Sequence, residues 1–120
     1  MTLSIFDRYG GFATIRRVVS AFYDKVLDSD VIAHHFEEVE MRRLIDHQAR
    51  FVSAVTGGPA SYSDDHLRRV HARLGITTEE FREMVALLEE TLEDFDFELP
   101  DVQTVVAEIR RREGVIVSRL

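Results

Sequence analysis

The segment Ser63-Asp64-Asp65-His66-Leu67-Arg68-Arg69-Val70-His71-Ala72-Arg73-Leu74-Gly75-Ile76 constrains this chain more than any other. Its spacing predicts a helix in which Leu67, Val70, His71 and Leu74 share one face, at i, i+3, i+4 and i+7. Ser63 is the expected N-cap and Gly75 the expected stop. A single histidine therefore stands within an apolar stripe. Burying an imidazole without a partner costs about 1–3 kcal/mol, so His71 needs one. Two kinds of partner are open: a backbone carbonyl, which makes it an ordinary core histidine, or a metal centre, which makes it a ligand.

Composition narrows the setting. A chain of 120 residues points to one domain over 1–120. Folding at that length buries roughly two-thirds of the surface of the unfolded chain, enough for one core and one small cofactor pocket. Apolar residues make up 45%, which excludes a disordered segment. The absence of cysteine excludes disulfides, thiolate metal sites and cysteine nucleophiles. No run reaches the length of a membrane span and no basic-then-apolar leader is present, so no membrane partner is expected and a cytoplasmic location is. The net charge of -7 argues against a nucleic-acid partner. The short basic clusters Arg16-Arg17, Arg42-Arg43, Arg68-Arg69 and Arg110-Arg111-Arg112 read as solvated helix faces.

The periodicity is helical throughout, so the expected fold class is all-α. A short helix from Leu3 to Tyr9 should end at Gly10-Gly11. A second, Phe12 to Leu27, places Phe12, Ile15, Val19, Phe22, Tyr23 and Val26 on one side. A turn-like helix is expected over Val31 to Phe36. A long helix from Met41 to Val55 carries Leu44, Gln48, Phe51, Val52 and Val55 inward, with His47 flanking. Thr56-Gly57-Gly58-Pro59 stops it. Thr77 and Glu80 form the signature of a capping box opening a helix to about Glu93, with Phe81, Met84, Val85, Leu88 and Leu92 inward. Pro100 opens a last helix with Val102, Val105, Val106 and Ile109 inward. The run Val115-Ile116-Val117 is too short to seed a sheet.

Few polar residues fall on these inner faces: Tyr23, His47, Gln48 and His71. Phe22, Phe36, Leu44, Phe51, Leu67, Val70, Ile76, Phe81 and Val85 supply apolar neighbours. Apolar walls with a few polar groups are what a flat aromatic cofactor such as haem requires. An imidazole can bind haem iron axially, and a phenol and an amide opposite can donate hydrogen bonds to a diatomic ligand. Other chemistry has weaker support. His34 and His35 are adjacent, about 100° apart on a helix, so they should chelate poorly and read as solvent or helix-end residues. His66 lies well around its helix from His71. The pairs Glu79-Glu80 and Glu89-Glu90 read as solvated faces. No HExxH, Walker or nucleophile-elbow pattern occurs.

Taken in order, Tyr9-Gly10-Gly11, Phe22-Tyr23, Phe36 with Val39-Glu40-Met41, His47-Gln48-Ala49-Arg50-Phe51, Gly57-Gly58-Pro59, Tyr62 and His71 with Leu74-Gly75-Ile76 resemble a group I truncated haemoglobin. The resemblance spans about residues 3 to 110. It implies a two-over-two helical sandwich enclosing haem b, iron protoporphyrin IX held by coordination and burial. His71 matches the proximal ligand, Phe36 the phenylalanine packed on the porphyrin, and Tyr23 and Gln48 the distal hydrogen-bonding pair. Leu44 occupies the nearer distal position, and Tyr62 belongs with the residues around the cofactor. Many relatives carry lysine or arginine where this chain has His47, reaching a haem propionate; in some a histidine there is a sixth iron ligand. Certain relatives tie the haem covalently through a C-terminal histidine, and none follows His71 in this sequence. Relatives with a gated apolar tunnel often have phenylalanine where this chain has Val52.

The function this implies is reversible binding of O2, NO and CO, with nitric oxide dioxygenation as the catalytic expectation and a reductase as its partner. A bis-histidyl protein for electron transfer or sensing, using His71 and His47, is the alternative. A helical interaction module of globin shape without haem is the third.

Overall fold

The computed structural model describes residues 3–59 and 75–117, and every regular element within them is helical. In chain order these are α1 (Ile5–Arg8), α2 (Phe12–Leu27), a 3₁₀ turn (Ala33–Phe36), α3 (Met41–Val55), α4 (Thr78–Asp94), α5 (Leu99–Arg111) and α6 (Glu113–Ile116). The segment carrying His66, Leu67, Val70 and His71, together with Tyr62, lies outside the described residues.

Local chemistry sets the helix ends. Ser4 opens α1 by accepting the Asp7 N–H on its hydroxyl at 3.1 Å, and the helix is shorter than the expected Leu3 to Tyr9. Gly11 precedes α2 at φ 74°, a conformation that a side chain disfavours. The Glu40 carboxylate caps α3 by accepting the Arg43 N–H at 3.1 Å. At α4 the expected capping box is formed: Glu80 N–H donates to Thr77 Oγ1 at 3.1 Å, and Thr77 N–H donates to Glu80 Oε1 at 2.9 Å. Pro100 sits in the first turn of α5, where its missing N–H costs nothing.

The pair α2–α3 packs on the pair α4–α5 through α2 and α4. Ile15, Val18, Val19 and Val26 of α2 are buried with Phe81, Val85 and Leu92 of α4 and Val102 and Val105 of α5. Phe12 departs from the expected inner face. It is 43% exposed because it stands at the first position of α2, beyond the neighbouring layer. The run Val115-Ile116 closes the short helix α6 and buries Ile116, so a stretch of strand-forming composition is helical where a core surface is within reach.

The N-terminal segment is fastened at two points. The Phe6 N–H donates to the Thr56 carbonyl at 2.9 Å, at the end of α3. Close by, a Cβ on Gly58 would stand 2.7 Å from the Phe6 ring and 2.9 Å from the Ser53 carbonyl oxygen, so glycine is what lets these segments meet. At the second point the Arg8 guanidinium grips both carboxylate oxygens of Asp101 at 2.6 and 2.9 Å, and the Tyr9 hydroxyl donates to Asp101 at 2.6 Å. Tyr9 also stacks on Phe97, with centroids 3.8 Å apart, and its oxygen accepts the Glu98 N–H. The hydrogen bonds from Arg8 and then Tyr9 hold the Asp101 carboxyl below its ordinary pKa, against the opposing effect of burial. A carboxylate lowered in the folded state contributes stability above the unfolded pKa and loses it as pH falls through the folded one. Asp101→Asn is therefore expected to lower Tm at neutral pH, with the gap to the wild type closing below about pH 4. Calorimetry between pH 2 and 7 checks this, and a gap that persists undiminished at pH 2 would contradict it.

Candidate functional site

Between the helix pairs lies a cavity of about 70 Å³ that opens to solvent. Ten of its twelve described lining residues are apolar: Val19, Phe22, Phe51, Val52, Phe81, Met84, Val85, Leu88, Ile109 and Ile116. The other two are Tyr23 and Gln48. A site of this composition presents a largely apolar wall with a phenol and an amide able to hydrogen-bond.

The helical repeat explains the convergence. Val19, Phe22 and Tyr23 lie on one face of α2, and Gln48, Phe51 and Val52 on one face of α3, each at spacings of three and four. Phe81, Met84, Val85 and Leu88 do the same on α4. Tyr23 is buried, at 5% exposure, and is held by aromatic edges: Phe22 at 4.9 Å and Phe36 at 5.8 Å between centroids. These contacts limit the ring's freedom and direct its hydroxyl. Gln48 is half-buried.

Of the residues selected from sequence, Phe22, Tyr23, Gln48, Phe51, Phe81 and Val85 line this one cavity. Phe36 does not line it but packs against Tyr23. Leu44 is half-buried against the core, and Ile76 is a core residue at 4% exposure. His47 is exposed and is not a lining residue. Tyr62, Leu67, Val70 and His71 fall outside the described residues. The lining residues not selected from sequence are Val19, Val52, Met84, Leu88, Ile109 and Ile116. Most were readable as inward by spacing, but nothing in spacing separates a residue facing a cavity from one facing a neighbouring side chain.

One reading of the polar residues is corrected. Glu80 is buried, at 8% exposure, and not on a solvated face. His34 and His35 do stand at the end of the 3₁₀ turn, as expected, with His34 exposed, but both imidazoles reach that carboxylate. Their Nε2 atoms lie 3.2 and 2.9 Å from the same oxygen, Glu80 Oε2. The imidazole centroids are 4.1 Å apart. Spacing along the chain could not show the shared partner, because Glu80 comes from α4, far from the 3₁₀ turn in sequence. Burial pushes the Glu80 carboxyl up, but the Thr77 N–H and the His35 imidazole pull it down further, so it stays below the ordinary glutamate value.

The arrangement of four principal helices around an apolar cavity defines a short globin. A family model described as bacterial-like globin matches residues 4–117. The chain is 37% identical over 78 residues to the group 1 truncated hemoglobin GlbN of Mycolicibacterium paratuberculosis, an alignment covering 65% of this chain and 57% of that relative's length. It is 30% identical over 95 residues to the group 1 truncated hemoglobin GlbN of Synechocystis sp., covering 76% of this chain and 77% of that one. Its fold matches the crystal structure of truncated hemoglobin from Tetrahymena pyriformis in the Fe(III) form with a TM-score of 0.87, at 21% identity over 96% of this chain and 98% of that one. The chain belongs to the bacterial-like globin family, within the group I truncated haemoglobins.

Haem b is the cofactor of this family, and the described residues fit it: broad apolar walls with only a phenol and an amide among them. The walls also carry stability. Phe81 is 2% exposed where α4 faces the cavity, so Phe81→Ala is expected to cost the haem-free protein about 3–5 kcal/mol. Urea unfolding at equilibrium measures it. A loss under about 1 kcal/mol would mean that the walls contribute little to the fold.

Proposed function

We propose that this protein is a single globin domain that binds dioxygen and other diatomic gases reversibly, and that it detoxifies nitric oxide by dioxygenation. The observation that supports this most is the presence of Tyr23 and Gln48 together in the wall of one otherwise apolar cavity. Haem, when bound, would supply a gas-binding iron and the single electron that turns nitric oxide plus dioxygen into nitrate, so a reductase partner would have to return that electron.

The chain's own residues have distinct tasks in this reading. His71 supplies the proximal imidazole, neutral so that its lone pair is available. Tyr23 donates its hydroxyl proton, and Gln48 its amide N–H, to a ligand that carries partial negative charge. Both act where water is excluded and a hydrogen bond is electrostatically stronger. Phe36 and Phe22 keep the Tyr23 ring in place. The apolar residues of α4 and α5 keep the cavity dry, which protects a reactive ligand from protons. Val52 leaves the wall open where a larger aromatic would narrow it.

Removing one donor of a typical hydrogen bond costs about 1 kcal/mol or a little more. Tyr23→Phe and Gln48→Leu should each speed dioxygen release from the haem-loaded protein, by about tenfold for Tyr23→Phe. Stopped-flow displacement by carbon monoxide measures the rate. Unchanged release in both variants would remove the distal pair from the account. Mixing the dioxygenated protein with nitric oxide should yield one nitrate per haem, with the yield and rate lowered in Tyr23→Phe. Failure to form nitrate would leave gas binding without the enzyme activity.

The exposure of His47, outside the cavity wall, favours leaving the sixth position to the incoming gas over the bis-histidyl alternative. The ferrous absorption spectrum of His47→Leu is expected to match that of the wild type. Low-spin bands in the wild type that vanish in His47→Leu would establish the bis-histidyl form instead.

A further inference from the structure

Outside the cavity, one cluster of side chains has the composition and spacing of a ligand set. We propose that His34, His35 and Glu80 form a binding site for a divalent transition ion of the zinc class, separate from the haem pocket. None of the three lines the cavity. Their ligand atoms all lie within 4.8 Å of one another, and two of the three separations are 2.9 and 3.2 Å. In a tetrahedral site with metal–ligand bonds of about 2.0–2.2 Å, ligand atoms stand about 3.3 Å apart. The cluster is thus close to the required size before any ion enters.

Three further features suit a metal better than a simple hydrogen-bonded group. First, both imidazoles present the same atom, Nε2, to one carboxylate oxygen, so two lone pairs can be directed at a single point beside it. Second, the carboxylate is oriented in advance. Its Oε1 accepts the Thr77 N–H at 2.9 Å, which leaves Oε2 for the imidazoles and a one-oxygen bond to an ion. Third, the histidines are not on a free loop. The His35 N–H donates to the Ile32 carbonyl at 3.1 Å, and Ser29 Oγ donates to Glu83 at 2.7 Å, tying this segment to α4. With neutral imidazoles the set carries one negative charge, as suits a dication. His34 is 55% exposed at its side chain, which provides the entry path and room for a water as fourth ligand, while His35 and Glu80 stand at 13% and 11%. Two imidazoles and a carboxylate favour zinc, nickel or copper over magnesium or calcium, which prefer all-oxygen sets.

Bound there, the ion would clamp the 3₁₀ turn onto the first turn of α4. The residue after His35 is Phe36, whose ring packs on Tyr23, so the clamp would stiffen the edge of the gas site without entering it.

Zinc titration of the haem-loaded protein by calorimetry tests this. One zinc per chain is expected, with Tm rising as zinc is added. His34→Ala, which removes an exposed ring, and Glu80→Gln, which keeps a side chain able to serve the capping box, should each weaken binding by at least about tenfold. The double variant His34→Ala/His35→Ala should abolish it, and copper added to the wild type should show paramagnetic coupling to two nitrogens. The haem absorption should be unchanged by zinc. No zinc uptake by the wild type at millimolar concentration would overturn the proposal. So would uptake that the His34→Ala and Glu80→Gln variants retain in full, or zinc-dependent change in the haem bands with no effect of these variants.

Discussion

Everything in this fold depends on α2 being buried on more than one side. It packs against α3, against α4 and against the 3₁₀ turn, and Ile15, Val18, Val19 and Val26 are at most 2% exposed. Burying one such side chain stabilises by about 1.5–3 kcal/mol, so the helix is fixed by its own apolar face. The same face carries Phe22 and Tyr23, which line the cavity with residues of α3, α4, α5 and α6. A flat apolar cofactor is the ligand class that such a gap accepts with least desolvation cost.

Polar interactions are distributed accordingly. The Arg8–Tyr9–Asp101 group joins the N-terminal segment to α5, and the His34–His35–Glu80 group joins the 3₁₀ turn to α4. Neither contributes a residue to the cavity wall. These charged groups hold segments in register away from the cavity, and among its described lining residues the polar ones are Tyr23 and Gln48. Were ionised groups admitted to the wall, burying them would cost far more than the hydrogen bond they could offer a gas ligand.

Much of this was legible from residue order. Gly10-Gly11 and Thr56-Gly57 set the bounds of α2 and α3 because backbone geometry at a helix end is a local matter. Thr77 and Glu80 announced the start of α4 for the same reason. The convergence of Tyr23 with Gln48 followed from helical spacing joined to the family resemblance. What could not be read depends on contacts between distant segments. Glu80 looked like one more surface acid until α4 was placed beside the 3₁₀ turn. His34 and His35 are neighbours about 120° apart in a 3₁₀ turn, and only the placement of Glu80 shows that both rings reach one carboxylate oxygen. Phe12 obeyed the inward pattern but is 43% exposed at the first position of α2, and the run Val115-Ile116, too short to seed a sheet, gave no sign of its helical end on the core.

On the proposed function, His71 holds haem against the wall formed by α2, α3 and α4. Titrating the haem-free protein with hemin while recording the ferric and ferrous absorption spectra tests this most directly. Wild-type protein should take up one haem per chain and develop the bands of a histidine-ligated iron, and His71→Ala should lose those bands. If the wild type stays colourless, or if His71→Ala reproduces its uptake and spectrum, the assignment of this cavity as a haem site is wrong.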